Sequence, residues 1–490
     1  MLKLFNYLNY AFFLCSFTVF AVGYFVCNYN VILVGVFLLF LSNVIYGIFK
    51  WKTHIVFLFL QFTIFTFLMA RPIIDALRGY EWWEFGHEAT TFALNSLMIT
   101  LVFLRLGASL YFCLRKPKPF VNQIPDKLNK AGFQYSLQFV SLVFFFFTFA
   151  VNIMIEAEKL IFMNGRSYEE YYIEFQSSFP SYIFTLASMM RYALCIFLAT
   201  MPSKRKAFLP LAMYVISAAP SLIIGLRNPI VLNLIFAVLY YLLRDIYEAS
   251  NRWFGKFERW AVVLIAPMAL MFLSAYNYIR AGSSSSLGFF DAIVDLFHKQ
   301  GVSFKVLCIG YNAIPDLPDV IDKNYTFGEI IDYFTHGTVA QLLFGATGLG
   351  TQNSELLAVY GNSFAHSMSY VAHPNYLQGE GWGSSYILET YADFGYLGII
   401  VFSLILGAVM VWFVSVFKHR TFGRILVLIG LLELFFIPRS SATGWLGFIF
   451  TFQLWMCIVF CFFCAKIISE HDYKNTNQYS VLKVYRSLTG

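Results

Sequence analysis

Three arginine residues lie beside long apolar segments, at points where the chain turns. Arg227 belongs to the short polar turn 225–229, Arg280 follows an apolar segment directly, and Arg439 follows Pro438 in a second short turn. A guanidinium group binds phosphate oxygens through paired N–H groups and stays charged at any relevant pH. If the three turns share one membrane face, they favour binding of a lipid phosphate. Anchoring in the headgroup layer is the alternative for any single arginine.

Three further charged residues fall within the apolar segments themselves. Arg191 is near the middle of one segment and Glu433 lies six residues before Arg439. A charge at that depth is costly and normally has a partner or a water-filled cavity, so these two are expected to pair or to line a site. Arg105 is nearer the end of its segment and is expected to extend into the headgroup layer.

A polar face of candidate acid–base or metal-binding residues is predicted in the stretch 326–344. Glu329, Asp332 and His336 have the spacing i, i+3 and i+7, which places them on one side of an amphipathic helix. A solvated face of a surface helix is the simpler interpretation, and we predict no metal site and no cofactor.

Glycine-rich stretches follow at 345–350 and 379–385, with His373 and Trp382 in the second half of this region. Glycine permits close approach of backbone to a phosphate or a sugar. No Lys-Ser/Thr pair follows in a strand–loop–helix context, so a nucleotide-binding loop is not supported. Trp382 could stack on a sugar ring, although interfacial anchoring explains such a residue equally well.

The composition excludes a water-soluble globular protein. Of the 490 residues, 59% are hydrophobic and 12% are charged, against roughly 45–50% and about 25% in soluble domains. We therefore predict an all-α polytopic membrane protein. The net charge of +7 is no argument for nucleic acid, because the basic residues sort by membrane side.

Hydropathy predicts twelve membrane spans, of which the eleventh is the shortest. They run at about 11–27, 31–49, 55–70, 89–112, 137–155, 181–201, 208–225, 229–243, 260–279, 386–413, 425–437 and 446–464. The predicted organisation is nine spans in 1–279, a large loop at 280–385, three spans in 386–464 and a tail at 465–490.

The distribution of Lys and Arg predicts the orientation. Most of the 34 basic residues lie on the inner side when both termini are cytoplasmic, and reversal would violate the positive-inside rule at nearly every short loop. The loop 280–385 is then extracytoplasmic. We expect amphipathic helices within it at about 289–299 and 326–344, able to lie on the outer membrane surface.

Three blocks of the sequence resemble the Wzy-type O-antigen polysaccharide polymerases. They are Gly225-Leu-Arg227-Asn-Pro, Phe297-His-Lys-Gln300-Gly301-Val-Ser303, and Gly379-Glu-Gly381-Trp-Gly383-Ser384-Ser385-Tyr-Ile-Leu-Glu389-Thr-Tyr391-Ala-Asp-Phe394-Gly395-Tyr-Leu-Gly398. The last block reads like the family's glycine- and serine-rich approach to a Glu-Xaa-Tyr and a Phe-Gly-Xaa-Xaa-Gly at the head of a span. The resemblance covers roughly the second half of the chain.

This resemblance implies an enzyme of the bacterial inner membrane that uses undecaprenyl-diphosphate-linked oligosaccharides as donor and acceptor. The growing chain would move to a new lipid-linked repeat unit, and a polysaccharide chain-length regulator is a possible partner. The candidate residues for diphosphate or sugar binding are Arg227, Arg280, Arg439, Gln300, Trp382 and Tyr391.

The acceptor hydroxyl needs a base, for which Glu389 and His373 are the candidates. Clustered arginines can stabilise the leaving diphosphate where a soluble enzyme might use a divalent metal. Glu389 also begins a span, where a carboxylate is favourable at a helix N-terminus, so a structural role is an equal alternative.

Two other functions share part of this pattern. A lipid-linked oligosaccharide flippase would also have about twelve spans and internal charges, but paired halves and short loops are expected of it. An O-antigen ligase would share the large loop and the arginines and differ mainly in its acceptor.

Overall fold

The fold was analysed in a computed structural model. It describes residues 2–114, 129–164, 166, 170–171, 174–224, 226–248, 252–256, 258–260, 288–350, 352–418 and 420–488. These residues form helices and turns, with no strand among them. The expected all-α polytopic fold is confirmed.

Eleven helical segments of the described chain are long and apolar enough to cross a membrane. They correspond to the predicted spans one to eight and ten to twelve, whereas the predicted ninth span, 260–279, lies almost wholly outside the described residues. The helices that build them are α1 (Leu2–Phe25), α2 (Tyr29–Phe49), α3 (Trp51–Ile64), α4 (Ala70–Leu77), α5 (His87–Leu114), α6 (Asn129–Met163), α7 (Ser181–Ala199), α8 (Lys204–Ile216), α9 (Ala219–Ile224) and α10 (Asn228–Tyr247), and later in the chain Tyr386–Phe417, Thr421–Glu433 and Phe452–Leu488.

The stretch from residue 288 to Tyr386 contains short helices. They are α11 (Phe289–Gln300), α12 (Ser303–Ala313), α13 (Gly328–Thr335), α14 (Thr338–Phe344), α15 (Glu355–Tyr360) and α16 (Phe364–Ala372). We number the three helices that follow α17 (Tyr386–Phe417), α18 (Thr421–Glu433) and α19 (Phe452–Leu488).

The first expected amphipathic helix is present as α11, but the second is not one helix. The stretch 326–344 divides into α13 and α14 at His336 and Gly337. His336 leaves the helical conformation with φ −127°, and a Cβ at Gly337 would lie 2.1 Å from the Tyr333 carbonyl oxygen. The prediction of a continuous helix, and of the i, i+3, i+7 face that depended on it, was therefore wrong at His336.

The last two spans also differ in their ends. After α18 the chain continues in a 3-10 turn, Leu434–Arg439, because Pro438 has no N–H with which to continue an α-helix. The residues Gly444–Phe450 form a second 3-10 segment, so the last span begins at Phe452 rather than at 446.

The chain forms two compact units. The first comprises Met1–Lys116, Leu239–Ser415 and Glu433–Gly447, and the second comprises Pro117–Val238, Val416–Leu432 and Phe448–Gly490.

In the first unit, α5 and α17 approach each other backbone to backbone. A Cβ added at Gly107 would lie 1.9 Å from the Leu404 carbonyl oxygen, and one at Gly407 would lie 2.1 Å from that of Leu104. Lipid supplies little hydrophobic drive between helices, so such small-residue contacts provide the packing. This contact fixes α17, whose first turn contains Glu389.

Arg105 of the first unit is buried rather than extended into the headgroup layer as expected. Its Nη1 donates to the Ser42 hydroxyl at 2.6 Å, and the guanidinium lies over the rings of Phe13 and Tyr46 at 4.5 and 4.9 Å. A buried acceptor and two aromatic faces compensate the lost hydration.

In the second unit, α6 and α7 pack around Val151, Ile155 and Ala187. Arg191 of α7 donates from Nη2 to the Tyr192 hydroxyl at 3.1 Å. The hypothesis that Arg191 pairs with Glu433, which belongs to the first unit, stays a prediction.

Candidate active site

The turn that follows the second-last span carries Arg439 and is held in place at three points. We call residues 439–443 the arginine loop. The Ala442 N–H donates to Glu389 Oε2 at 2.7 Å, and the Thr443 hydroxyl donates to the Thr326 carbonyl oxygen at 2.8 Å. The Ser441 hydroxyl bonds to Glu329. Three bonds from adjacent residues to three different places give this loop one conformation.

Gln300 and Phe67 orient the guanidinium of Arg439. Its Nη1 donates to Gln300 Oε1 at 3.3 Å, and its Cζ lies 6.0 Å from the Phe67 ring centroid. Phe67 belongs to a π-helical turn, Phe65–Met69, between α3 and α4. Such turns are frequent at functional sites. The structure thus brings together two predicted ligand-binding residues, Arg439 and Gln300, from distant parts of the chain.

Glu389 accepts one of the three hydrogen bonds that hold the arginine loop. Its side chain is 2% exposed, Oε1 accepts from the Ser384 hydroxyl at 2.7 Å, and Oε2 accepts from Ala442. Both oxygens are occupied by groups of the protein. These contacts favour a positioning role for Glu389, and its predicted role as the base remains untested.

Asp393 performs a similar task four residues later, and the sequence reasoning assigned it no role. Its carboxylate accepts from the backbone N–H groups of Tyr325 and Thr326 at 3.1 and 2.6 Å. Thr326 in turn accepts from Thr443. The only sequence signal was its position within the Tyr391-Ala-Asp-Phe394-Gly395 part of the resemblance.

Glu329, an exposed residue, contacts the arginine loop through a hydrogen bond that its carboxyl group accepts from Ser441. A Cβ at Gly444 would lie 2.6 Å from its Oε1, so the glycine leaves the space that Glu329 occupies. The pKa of Glu329 is raised, chiefly because surrounding protein atoms desolvate the carboxyl group and also because the Glu433 and Asp332 charges lie nearby. A raised pKa is typical of carboxyl groups that exchange protons near neutral pH.

Asp332 and His336 do not join Glu329 in one face. Asp332 accepts from the backbone N–H and the side-chain amide of Asn362 at 2.9 and 2.8 Å, and His336 Nδ1 lies 2.9 Å from the Thr347 carbonyl oxygen. Across the described ranges, no three His, Cys, Asp or Glu side chains are grouped as metal ligands.

His373 and Trp382 form a separate cluster on the glycine-rich stretch. Their rings meet edge to face at 5.3 Å, and His373 Nε2 lies 3.7 Å from Glu380 Oε2. His373 Nδ1 accepts from the Asn375 N–H at 3.2 Å, which uses the lone pair of the neutral ring and leaves the proton on Nε2. This bonding disfavours proton abstraction by neutral His373, whose role stays a prediction.

The indole N–H of Trp382 is enclosed and has no hydrogen-bond acceptor in the part of the chain that the structure describes. The backbone of Trp382 is fixed by the Ser369 hydroxyl, which accepts from its N–H at 2.8 Å and donates to its carbonyl at 3.1 Å. Trp382 is followed directly by Gly383 and Ser384, so this cluster adjoins the one around Glu389.

Tyr391 and Arg227 are two further predicted residues. The Tyr391 ring packs against those of Phe92, Tyr311 and Tyr396 at 4.4, 5.9 and 5.1 Å, so its observed contacts are with other aromatic side chains. Arg227 directly precedes α10. The N–H of the preceding residue, Leu226, donates to the Ser221 carbonyl oxygen at 2.7 Å.

The proposed grouping of three arginines remains a prediction. Arg227 belongs to the second unit and Arg439 to the first, while Arg280 lies outside the described residues. Glu433 is at the last residue of α18, directly before the 3-10 turn that ends at Arg439.

Comparison with known proteins gives one match that spans nearly the whole chain. The sequence model of the family described as O-antigen polysaccharide polymerase Wzy matches residues 7–471. No curated protein and no solved structure matches the chain.

Proposed function

We propose that this chain, which belongs to the O-antigen polysaccharide polymerase Wzy family, lengthens O-antigen by joining undecaprenyl-diphosphate-linked repeat units. The growing chain moves from its carrier to a new lipid-linked repeat unit at the outer face of the inner membrane. The family match over residues 7–471 is the observation that carries this proposal. The fixed arginine loop supports it from the structure.

The family and the eleven candidate spans make the protein a multi-pass inner-membrane polymerase that acts on lipid-linked repeat units. We further propose that both termini are cytoplasmic, that residues 280–385 face outward, and that a chain-length regulator is a partner.

The transfer forms one bond and breaks one. A hydroxyl oxygen of the acceptor sugar attacks the anomeric carbon of the donor, the bond from that carbon to the diphosphate oxygen breaks, and the hydroxyl proton passes to a base. Negative charge then accumulates on the leaving diphosphate. A guanidinium already oriented at that position stabilises the charge without reorganisation during the reaction. We assign this role to Arg439, oriented by Gln300, with Arg227 and Arg280 as the further candidates.

Glu329 is the proton acceptor that the contacts favour. It is reached by solvent, it lies beside the arginine loop, and its pKa is raised toward the operating range of a base. We propose a positioning role for Glu389 and His373, the two residues first expected to act as the base. Both Glu389 oxygens and His373 Nδ1 accept bonds within the protein, whereas one Glu329 oxygen accepts from Ser441 among the described residues.

We propose that the enzyme works without a tightly bound metal, because a guanidinium can neutralise the diphosphate directly. A chelator is therefore expected to leave the rate unchanged. Loss of activity in EDTA that Mg²⁺ restores would contradict this part of the proposal.

The surface glycan of a strain lacking this gene separates polymerase from ligase and flippase. A polymerase defect leaves export and ligation intact, so each surface molecule should carry one repeat unit and no ladder. Long chains that accumulate on the lipid carrier would indicate a ligase. Loss of both single units and ladder would indicate a flippase. Electrophoresis of the glycan, with and without the plasmid-borne gene, gives the answer.

A further inference from the structure

The first unit contains a cavity of about 230 Å³ that is lined by none of the residues assigned above. One side of the cavity is formed by α4 and the turn that follows it. The other side is formed by α11 and α12. Seven acidic, basic or histidine side chains line it: Arg71, Asp75, Arg78, Glu81, Glu84, His298 and Lys305. This volume far exceeds the space that one water molecule needs, so the cavity has room for a small organic group.

Ion pairs hold the walls of this cavity. Asp75 of α4 lies 2.7 Å from Nε2 of His298, and this pair connects α4 to α11. Within α4, Asp75 also lies 3.8 Å from Arg71 Nε. Lys305 of α12 pairs with Glu84 in the turn after α4. The two sides are thus joined by paired charges, which leaves other lining groups to meet a ligand.

Two polar side chains on the walls are available to a ligand. Arg78 and Glu81 are exposed, and within the described ranges neither side chain makes a hydrogen bond or an ion pair. The Arg71 Nε–H is enclosed by the protein and lies in an ion pair with Asp75, so it is not counted among them. Arg78 and Glu81 thus provide a donor and an acceptor on the walls of the same cavity.

The charge of the lining favours an uncharged guest. Arg71, Arg78 and Lys305 are balanced by Asp75, Glu81 and Glu84, so the cavity offers no net attraction for an anion. A guest that both donates and accepts hydrogen bonds suits such walls. Tyr80 and Trp82 add aromatic surface to the same cavity.

The cavity adjoins the Arg439 site through one helix end. His298 and Gln300 are two residues apart on α11, which places them about 200° apart around the helix axis. His298 faces the cavity, while Gln300 bonds to Arg439. The next residue, Gly301, packs so closely that a Cβ would lie 2.5 Å from the Arg71 backbone nitrogen. Only a helix width, about 10 Å, separates the two places.

We propose that this cavity binds an uncharged sugar ring of the glycan, close to the diphosphate site. The inference rests on the proposed function, because it takes Arg439 as the site of the diphosphate. Hydroxyl groups of a sugar supply donors to Glu81 and acceptors to Arg78. The cavity then holds the glycan in a fixed direction relative to the bond that is transferred.

Binding of a free oligosaccharide tests this directly. The probe is the repeat-unit oligosaccharide of the same strain, released from its carrier by mild acid and therefore without diphosphate. The full chain in nanodiscs is titrated and followed by saturation-transfer NMR. We expect binding by the wild type, and a dissociation constant raised at least about tenfold in the double variant Arg78→Ala, Glu81→Ala, because hydrogen bonds to two charged groups are lost.

Two controls keep the outcomes apart. Arg166 and Glu174 form an exposed pair elsewhere, with Nη1 and Oε2 3.4 Å apart, and the double variant Arg166→Ala, Glu174→Ala should bind as the wild type does. Arg439→Ala should also bind the free oligosaccharide normally while losing polymer. An unchanged dissociation constant in the Arg78 and Glu81 variant, or no binding by the wild type, overturns the proposal. Binding of the oligosaccharide by wild-type protein that makes no polymer from lipid-linked repeat units would instead refute the proposed function.

Discussion

The carboxyl group of Glu389 is enclosed and accepts two hydrogen bonds, one from a side chain and one from the backbone. Each of its two oxygens therefore holds one neighbouring segment in place, through Ser384 or through Ala442. Removal of the acceptor leaves the Ala442 N–H buried without a partner, which costs about 1–3 kcal/mol. Among single residues, we therefore expect Arg439 and Glu329 to contact substrate and Glu389 to hold the loop that carries Arg439.

Substitution of Glu389 distinguishes positioning from proton transfer. In Glu389→Gln the amide oxygen can accept from Ala442 and the amide NH₂ can donate to the Ser384 hydroxyl, so we expect most polymer to be retained. Glu389→Leu removes both bonds and should abolish polymer. The readout is the glycan ladder of complemented deletion strains, with Glu380→Gln as an exposed control. Loss of polymer in the Gln variant, with normal amounts of protein, would return Glu389 to the role of base.

Glu329 should determine how the rate of polymerisation falls at low pH. A base must be ionised, so the rate should fall as the pH falls through the pKa of Glu329. Because that pKa is raised, the fall should occur at a higher pH than for an ordinary carboxyl group. Glu329→Gln should remove this limb of the rate profile along with most of the activity. An unchanged profile in Glu329→Gln, measured as initial rate against pH beside the control Glu355→Gln, would exclude Glu329 as the base.

At the scale of elements, α17 links the membrane to the site. Its helical path is interrupted at Gly395, where φ is +62° and ψ is −154°, a conformation that essentially only glycine adopts. Three residues later, a Cβ at Gly398 would lie 2.1 Å from the Thr390 carbonyl oxygen. The Phe394-Gly395-Tyr-Leu-Gly398 block thus has a structural reason, which is to shape the turn that places Glu389 and Asp393.

The close contact of α5 with α17 predicts that Gly107 tolerates no side chain. Gly107→Ala places a methyl group into the Leu404 backbone, so the helices must separate, at about 1–3 kcal/mol as for other overpacked sites. We expect a lower melting temperature of the purified protein and less polymer. Gly132→Ala is the matched control, because its nearest neighbour is 3.5 Å away. Equal melting temperatures for the two variants would refute the backbone contact.

The sequence predicts long spans well and their interruptions poorly. Apolar length alone located eleven spans to within a few residues at most ends, because lipid imposes one requirement on all of them. The break at Gly337 and the 3-10 turns beside Pro438 and Gly444 depend on local backbone geometry. Average hydropathy carries no information about such geometry.

At the scale of the whole molecule, orientation decides whether the site faces the right side of the membrane. Reporter fusions at Asn324 and Asn362 should report the outer side, and fusions after Lys206 and Asn475 the cytoplasm. The reason is the excess of Lys and Arg in the loops predicted to be inside. A cytoplasmic signal from the fusions at Asn324 and Asn362 would contradict both the orientation and the place assigned to the reaction.

The candidate site could be predicted from the sequence only in part. The turn after an apolar segment predicted Arg439 as a site residue, and the resembling blocks contain Gln300 and Glu389. The structure joins Arg439 to Gln300 directly and ties Glu389 to the arginine loop. That Glu389 bonds to Ala442, or that Asp393 holds Thr326, follows from contacts between residues more than fifty positions apart. No spacing rule for a single helix reaches so far.

Polymerisation by the purified chain is the measurement that decides whether it joins lipid-linked repeat units. The protein in nanodiscs is supplied with lipid-linked repeat units, and the products are separated by length while released carrier diphosphate is counted. We expect a ladder of lipid-linked oligomers, one carrier diphosphate released for each new linkage, and a rate reduced at least about 100-fold by Arg439→Ala. Arg439→Lys should recover little of that rate, because it keeps the charge and loses the fork, and Arg166→Ala should be normal. Lipid-linked units that stay single in the presence of wild-type protein, or a ladder that Arg439→Ala makes at the full rate, would contradict this expectation.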